Sequence, residues 1–196
     1  MSLISIVACK KNTESKEEPG LMDAVKSIDN LKDMGDAAKD FEKRTEELKK
    51  MKPVSNEILK SVLKEEIGGL KRYDFNAGNA SMMNLSTAEA NYGDNNAKNV
   101  KVSIVDGAGE TGSAMLALIH MSLSTSSESI QNTKTEKTEE FEGYKCMTTN
   151  DTDPNNPNAS ILFIYEDRFQ VSISGNKMNL DEVKEFMKSL DLSELK

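Results

Sequence analysis

The chain has 196 residues and a formal net charge of −8, with 37% hydrophobic residues, 5% aromatic residues and no tryptophan. An acidic chain without a basic, aromatic-rich stripe does not fit a nucleic-acid-binding protein, because such proteins need cations to displace counterions from phosphates. The same charge argues against peripheral binding to anionic lipid, and the length allows one domain of ordinary size with an extension.

The N-terminus carries the most specific motif. An apolar start ends in Ile6-Val7-Ala8-Cys9, and a polar run from Lys10 to Gly20 follows it. This motif resembles the lipobox of bacterial lipoproteins, and the resemblance implies diacylglycerol attached to Cys9 by a thioether, with cleavage before that residue. A signal peptide has a basic start and a longer apolar stretch. We therefore interpret residues 1–20 as a signal-peptide remnant of a truncated precursor, a lipobox and a flexible tether.

The alternative for the N-terminus is a short apolar strand with an ordinary cysteine. No later segment has the roughly 20 consecutive apolar residues that span a bilayer. Lipid on Cys9 is therefore the membrane attachment that we predict.

Residues 21–51 have apolar side chains at every third or fourth position, from Leu21 to Met51. This spacing predicts a long amphipathic helix, so we assign residues 21–52 to a separate segment. Either the helix packs on its own domain, or it binds another envelope protein.

Residues 53–196 are predicted to form the folded domain. After Pro53, Ser55 is expected to cap a second helix that Gly68-Gly69 ends. The pattern then changes to a period of two, which predicts antiparallel strands with one solvated face at 88–92, 100–104 and 168–174. A helix is expected over 113–124, and a capping box of Asn179 and Glu182 is expected to begin the last helix.

This order of elements indicates an α+β fold. We expect an antiparallel sheet covered by helices, an α/β/α sandwich, with the long N-terminal helix before it.

The sequence Gly107-Ala108-Gly109-Glu110-Thr111-Gly112 matches the glycine pattern of dinucleotide-binding loops. Such a loop needs a buried parallel strand before it and an acidic residue about twenty residues later. The preceding strand alternates with Lys101 and Ser103, so one of its faces is solvated. A flexible connection is the simpler interpretation, and nucleotide binding is kept as a less favoured alternative.

Three other features could carry chemistry. Residues 151–155 place oxygens as a calcium loop would, but the expected glycine is replaced by Asn156. His120 is the only histidine in the sequence, and Cys146 is expected to be a small buried strand residue. We predict no catalytic residue, no metal and no cofactor, and only Cys9 is assigned as a functional residue.

Several segments between residues 52 and 195, including Ser86-Thr-Ala-Glu-Ala-Asn-Tyr92 and Asp167-Arg-Phe-Gln-Val171, are similar to an uncharacterised group of bacterial lipoproteins. The resemblance implies an envelope protein with no known activity. The final hairpin and helix also resemble the PsbP-like α/β/α sandwich, which is an analogy of fold and indicates no site.

The first functional hypothesis is therefore a non-enzymatic binding module of the bacterial cell envelope, lipid-anchored at the outer membrane or on the periplasmic side. A carrier of a small apolar ligand, in a cavity near Met82, Met83, Met115 and Met121, is the alternative.

Overall fold

The structure is a computed structural model that describes residue 39 and residues 41–80 and 85–196. The chain divides into Met1–Phe41 and a compact unit, Glu42–Lys196. The lipobox cysteine, Cys9, and most of the predicted long helix lie outside the described residues.

The compact unit contains one large sheet and several helices. Its described helices are α1, of which residues 42–50 lie in this unit, α2 (Asn56–Val62), α3 (Gly109–Ser124) and α4 (Leu180–Lys188). The strands are β1 (Glu66–Ile67), β2 (Leu70–Ala80), β3 (Leu85–Gly93), β4 (Asn99–Asp106), β5 (Glu128–Gln131), β6 (Lys134–Phe141), β7 (Tyr144–Asp151), β8 (Asn158–Tyr165) and β9 (Phe169–Asn176).

The nine described strands form a single antiparallel sheet in the order β1-β2-β3-β4-β9-β8-β7-β6-β5. The central strands have strict alternation: Phe169, Val171 and Ile173 of β9 are completely buried, while the residues between them are not. Alternation of this kind directs one apolar face of the sheet into a core.

Helices α2 and α4 cover that apolar face. Leu59 and Val62 of α2 and Val183 of α4 are completely buried in the same cluster as the sheet residues. The ring of Phe186 on α4 lies 5.6 Å from the ring of Tyr92 on β3, measured between centroids. Each Å² of apolar surface removed from water contributes about 25 cal/mol of stabilisation, so these contacts stabilise the packing of the two helices on the sheet.

The opposite face of the sheet is mainly polar. Helix α3 lies at one end of it, where Lys145 Nζ donates to the backbone oxygen of Ser124 and where Leu123 and Ile164 line a common cavity. Among the described residues, no helix covers the other end of this face, which is formed by asparagine, serine and threonine side chains. Helical cover there would require the burial of unpaired polar groups.

The predicted α/β/α sandwich is therefore wrong. The finding that overturns it is a nine-stranded sheet whose second face is largely without helical cover. The long N-terminal helix is also not shown, because residues 21–38 lie outside the described part and helix is described only at residue 39 and over 41–50. The analogy to a PsbP-like sandwich is withdrawn with the fold class.

Two predicted boundaries are also wrong. Helix α2 ends at Val62, and Gly68 and Gly69 instead form the turn between β1 and β2, with φ angles of 57° and 75°. The third helix begins at Gly109, earlier than the periodicity indicated. By contrast, the capping box of Asn179 and Glu182 is confirmed.

Candidate ligand-binding face

The polar end of the uncovered face contains a row of asparagines on three adjacent strands. In the register of the sheet, Asn99 of β4 is the partner of Asn176 of β9, and Asn176 is the partner of Asn158 of β8. Adjacent antiparallel partners lie about 4.5–5.5 Å apart, so the three amides form a continuous set. We call Asn99, Asn176 and Asn158 the amide row.

A second row of polar side chains runs beside the amide row. Ser174 of β9 is the register partner of Ser160 of β8, and Ser160 is the partner of Thr149 of β7. Because each of these residues is two positions from a residue at the level of the amide row, its side chain points to the same face. We call Ser174, Ser160 and Thr149 the hydroxyl row.

The two rows line a cavity of about 710 Å³, which we call the polar groove. Tyr73 of β2 and Lys134 of β6 also line it. The side chain of Tyr73 is 43% exposed, and its hydroxyl donates to Asn95 Oδ1 over 3.4 Å. The volume is within the range of about 300–1,000 Å³ that is common for small-molecule sites.

Much of the hydrogen-bonding capacity in the polar groove is not used by the protein. Within the described ranges, the side chains of Asn176, Ser174, Ser160 and Thr149 make no hydrogen bond. Asn158 uses only its Nδ2, which donates to the Asn156 backbone oxygen over 2.7 Å. The unused amide and hydroxyl groups can therefore bond to water or to a ligand.

The turn between β3 and β4 orients the amide of Asn99. Its Nδ2 donates to the backbone oxygens of Asp94 and Ala97, both at 3.2 Å. These two bonds fix the orientation of the amide and leave its Oδ1 as an acceptor.

The charged side chains that line the polar groove have partners of opposite charge or polar partners. Lys101 Nζ lies 2.9 Å from Glu89 Oε2, and Lys134 Nζ lies 2.5 Å from Glu136 Oε1. Asp74 Oδ2 accepts from Asn91 Nδ2 over 3.1 Å. The groove is thus polar without a concentrated charge of either sign.

Sequence reasoning missed this site. The alternation predicted a solvated face, but it could not show that residues 99, 158 and 176 are neighbours, because the order of strands is set by long-range pairing. The available signal was an asparagine at the boundary of each of three strands.

The glycine motif of residues 107–112 has a packing role. Gly107 N donates to the Arg168 backbone oxygen over 2.8 Å, and a Cβ at Gly107 would lie 2.6 Å from that oxygen. A Cβ at Gly112 would lie 2.7 Å from the Asp106 backbone oxygen. Strand β4, which precedes the motif, has antiparallel neighbours on both sides, whereas a dinucleotide-binding loop follows a parallel strand.

The carboxylates of residues 151–155 close turns. Asp151 Oδ1 accepts from Asp153 N over 3.1 Å, and Asp153 Oδ1 accepts from Asn155 N over 2.9 Å. Side-chain bonds of this type are typical of Asx turns. They explain why aspartates occupy these positions, and no bound cation is needed for that explanation. Nor do the described residues bring three or more histidine, cysteine, aspartate or glutamate side chains into a metal-binding cluster.

Cys146 is completely buried on β7, as the sequence predicted. Burial raises the pKa of its thiol to about 11, and the nearby Glu139 carboxylate acts in the same direction. A thiol with this pKa is protonated at neutral pH and is a poor nucleophile. His120 lies on the exposed side of α3, in a different part of the structure from the polar groove.

The predicted apolar carrier site receives little support from the methionines of α3. Met115 and Met121 expose 37% and 63% of their surface, so they lie on the outside of the helix. Met82 and Met83 are outside the described residues.

No protein-family model matches the chain, and no curated protein and no solved structure is significantly similar to it. In the part of the chain that the structure describes, no helix has both the length and the apolar character needed to cross a bilayer.

Proposed function

We propose that this protein is a lipid-anchored binding module of the bacterial cell envelope, and that the polar groove is its ligand-binding surface. The observation that carries the binding function is the set of unused hydrogen-bonding groups on Asn176, Ser174 and Ser160, which share one cavity of about 710 Å³. A protein surface that presents several polar groups without partners in the protein in one concavity can recognise a ligand by the same groups.

Binding without catalysis fits the chemistry of the groove. General acid–base catalysis needs a titratable group with a matched pKa near the reacting atoms. The lining lysines, Lys101 and Lys134, are paired with glutamates, and the remaining groups that we assign to binding are amides and hydroxyls. Such groups position a ligand and do not activate it.

The anchor is proposed from the sequence around Cys9. Ile6-Val7-Ala8-Cys9 resembles a lipobox, and the polar run from Lys10 to Gly20 fits a tether between lipid and folded unit. A single acyl chain gives only marginal membrane binding, so stable anchoring requires at least two. The proposal therefore includes acylation beyond one chain at this cysteine.

The binding function is tested by thermal shift, because a ligand raises the melting temperature by binding the folded state. The probes are neutral oligosaccharides, short peptides, nucleotides and phospholipid headgroups. The groove variant S160A/S174A/N176A removes only side chains without hydrogen bonds in the protein, so it should fold normally. The matched control is S103A/Q170A/S172A, three changes on the same face that do not line the polar groove.

We expect at least one probe to raise the melting temperature of the wild type and of the control, and not that of the groove variant. If no probe at millimolar concentration produces a shift that depends on the groove, the binding proposal is wrong.

The anchor is tested by growth of cells that express the precursor with a clickable palmitate analogue. Label is expected on the wild type and on the Cys146→Ala control, and its loss is expected for Cys9→Ala. A label that persists in Cys9→Ala, or a wild type that carries none, contradicts the anchor.

A further inference from the structure

We infer that the ligand of the polar groove is a neutral oligosaccharide, which lies across the strands with one sugar ring against Tyr73. This inference rests on the proposed function, since it names the chemical class that the groove recognises. It depends on three properties of the groove: its charge balance, its regular spacing and its exposed aromatic ring.

The charge balance favours a neutral ligand. An anion would have to compete with Glu89 for Lys101 and with Glu136 for Lys134. A cation would meet the carboxylates of Asp74, which accepts from Asn91 Nδ2, and of Asp151, which accepts from Asp153 N and is the register partner of Lys134. Because each lining lysine has a carboxylate beside it, an ionic ligand would meet like charge next to its partner, whereas a neutral ligand would not.

The types of side chain favour a polyhydroxylated ligand. An amide offers a donor and an acceptor side by side, and a hydroxyl offers both from one atom. Adjacent hydroxyls of a sugar have the same dual character, so one amide can bond to two of them. The Oδ1 atoms of Asn99 and Asn158 and the whole amide of Asn176 are available for such contacts.

The spacing favours a ligand with repeating units. Neighbouring strands lie about 4.8 Å apart, so the five spacings from β2 to β7 give a row of about 24 Å. The amide row and the hydroxyl row repeat polar groups at this interval across β4, β9, β8 and β7. A linear oligosaccharide presents hydroxyls at regular intervals along a comparable length.

A peptide is less suited to this surface. Extended peptides usually gain affinity by adding a strand at a sheet edge, where backbone groups are free. The polar groove lies on the face of the sheet, and the backbone groups of β4, β9 and β8 are already used between strands. A peptide there would lack partners for its own main chain.

Tyr73 supplies an apolar surface at one end of the groove. Its side chain is 43% exposed, and the bond from its hydroxyl to Asn95 holds the ring in place. An aromatic ring fixed in this way presents a flat apolar body, which fits the C–H face of a sugar ring. We assign Tyr73 to stacking and the amide row to hydrogen bonding.

Isothermal titration with chitotetraose, cellotetraose and maltotetraose tests the inference, with tetra-alanine as the peptide probe. At least one tetrasaccharide should bind the wild-type protein, and its monosaccharide should bind at least tenfold more weakly. Tyr73→Ala should reduce the affinity at least fivefold, while Tyr73→Phe should reduce it less, because the ring is kept and only the hydroxyl bond to Asn95 is lost. Ile130→Ala, at another exposed apolar residue, is the control and should bind like the wild type.

Two results would overturn the saccharide inference. In one, all three tetrasaccharides fail to bind while another probe class binds in a groove-dependent way, which leaves the proposed function intact. In the other, a tetrasaccharide binds equally well to Tyr73→Ala and Asn176→Ala. If no probe of any class depends on the groove, both the inference and the binding function are wrong.

Discussion

Asp106 and Arg168 form a bidentate ion pair in which the Asp106 side chain is completely buried and the Arg168 side chain is 12% exposed. Nε donates to Oδ1 and Nη2 donates to Oδ2, both over 2.8 Å. The backbone N–H groups of Val54 and Ala108 also donate to the carboxylate, at 2.8 Å and 2.9 Å. Arg168 in turn donates to the Lys52 backbone oxygen over 3.1 Å. The pair thus joins the segment before α2, the end of β4 and the turn before β9.

Loss of the guanidinium should strongly destabilise the fold. Arg168→Met leaves a buried carboxylate with only two backbone donors, and removal of one partner of a buried ion pair costs about 3–5 kcal/mol. Arg168→Lys should cost less, because it keeps the charge and loses the paired geometry. Urea unfolding measures both changes.

The control for this prediction is Lys64→Met, which breaks the exposed pair of Lys64 with Asp191, at 54% and 53% exposure. Exposed pairs are screened by water, so Lys64→Met should lower the free energy of unfolding much less than Arg168→Met does. Equal losses for Arg168→Met and Lys64→Met would show that the buried pair has no special role.

Gly112→Ala should destabilise the protein although the position is helical. Alanine usually stabilises a helix by about 1 kcal/mol relative to glycine. Here the added Cβ would lie 2.7 Å from the Asp106 backbone oxygen and 2.8 Å from the Gly107 carbonyl carbon. Backbone atoms cannot move aside cheaply, so we expect a net loss of about 1–3 kcal/mol in the free energy of unfolding.

Gly78→Ala is the matched glycine control, because a Cβ there meets no atom within 4 Å. It should be neutral or slightly stabilising. If Gly112→Ala left the free energy of unfolding unchanged and nucleotides raised the melting temperature, these results would instead support the nucleotide-binding interpretation of residues 107–112.

The sequence predicted local structure well where one pattern had one physical solution. The alternation of Phe169, Val171 and Ile173 predicted a strand with a buried face, and the structure confirms it. The pattern did not predict that β4 and β9 are neighbours, although their residues are about 70 positions apart in the chain. Alternation specifies which face is buried, and it does not specify which strand pairs with which.

For the same reason, the sequence predicted neither the ion pair nor the polar groove. Asp106 and Arg168 are 62 residues apart, and the asparagines of the amide row come from three strands. The sandwich prediction failed because it was drawn from the order of helices and strands, which does not specify which face of the sheet each helix covers. In the structure the polar residues of the second face remain uncovered, because no apolar stripe is available on that half of the face for a helix to pack against.

The two predicted N-caps differ in the structure, so their removal should lower the free energy of unfolding by different amounts. Asn179 Oδ1 accepts from Glu182 N, and Glu182 Oε2 accepts from Asn179 N, both over 3.0 Å. Asn179→Ala should therefore cost about 1 kcal/mol. Ser55 makes no side-chain capping bond to α2, so Ser55→Ala should cost less than half as much. Equal losses in urea unfolding would contradict the assignment of the capping box.

The burial of Cys146 should make the protein less stable in alkali. The ordinary pKa of a cysteine thiol is 9.0, and burial raises the pKa of Cys146 to about 11 in the folded state. Below pH 9 both states keep the proton, so the full stability is present. As the pH rises from about 9 to 11, the unfolded chain loses its proton first, and the free energy of unfolding falls.

At pH 10 this loss should be on the order of 1 kcal/mol relative to pH 8, because each pH unit between the unfolded and the folded pKa removes free energy of that order. Cys146→Ala lacks the thiol but keeps the lysines, which titrate in a similar pH range. The difference in pH dependence between wild type and variant therefore gives the contribution of the thiol alone. Tyr92, whose pKa burial raises to about 12, loses its contribution mainly above pH 10. Urea unfolding of both proteins at pH 8, 9 and 10 measures the effect, and parallel curves would show that the thiol of Cys146 titrates alike in the folded and unfolded states.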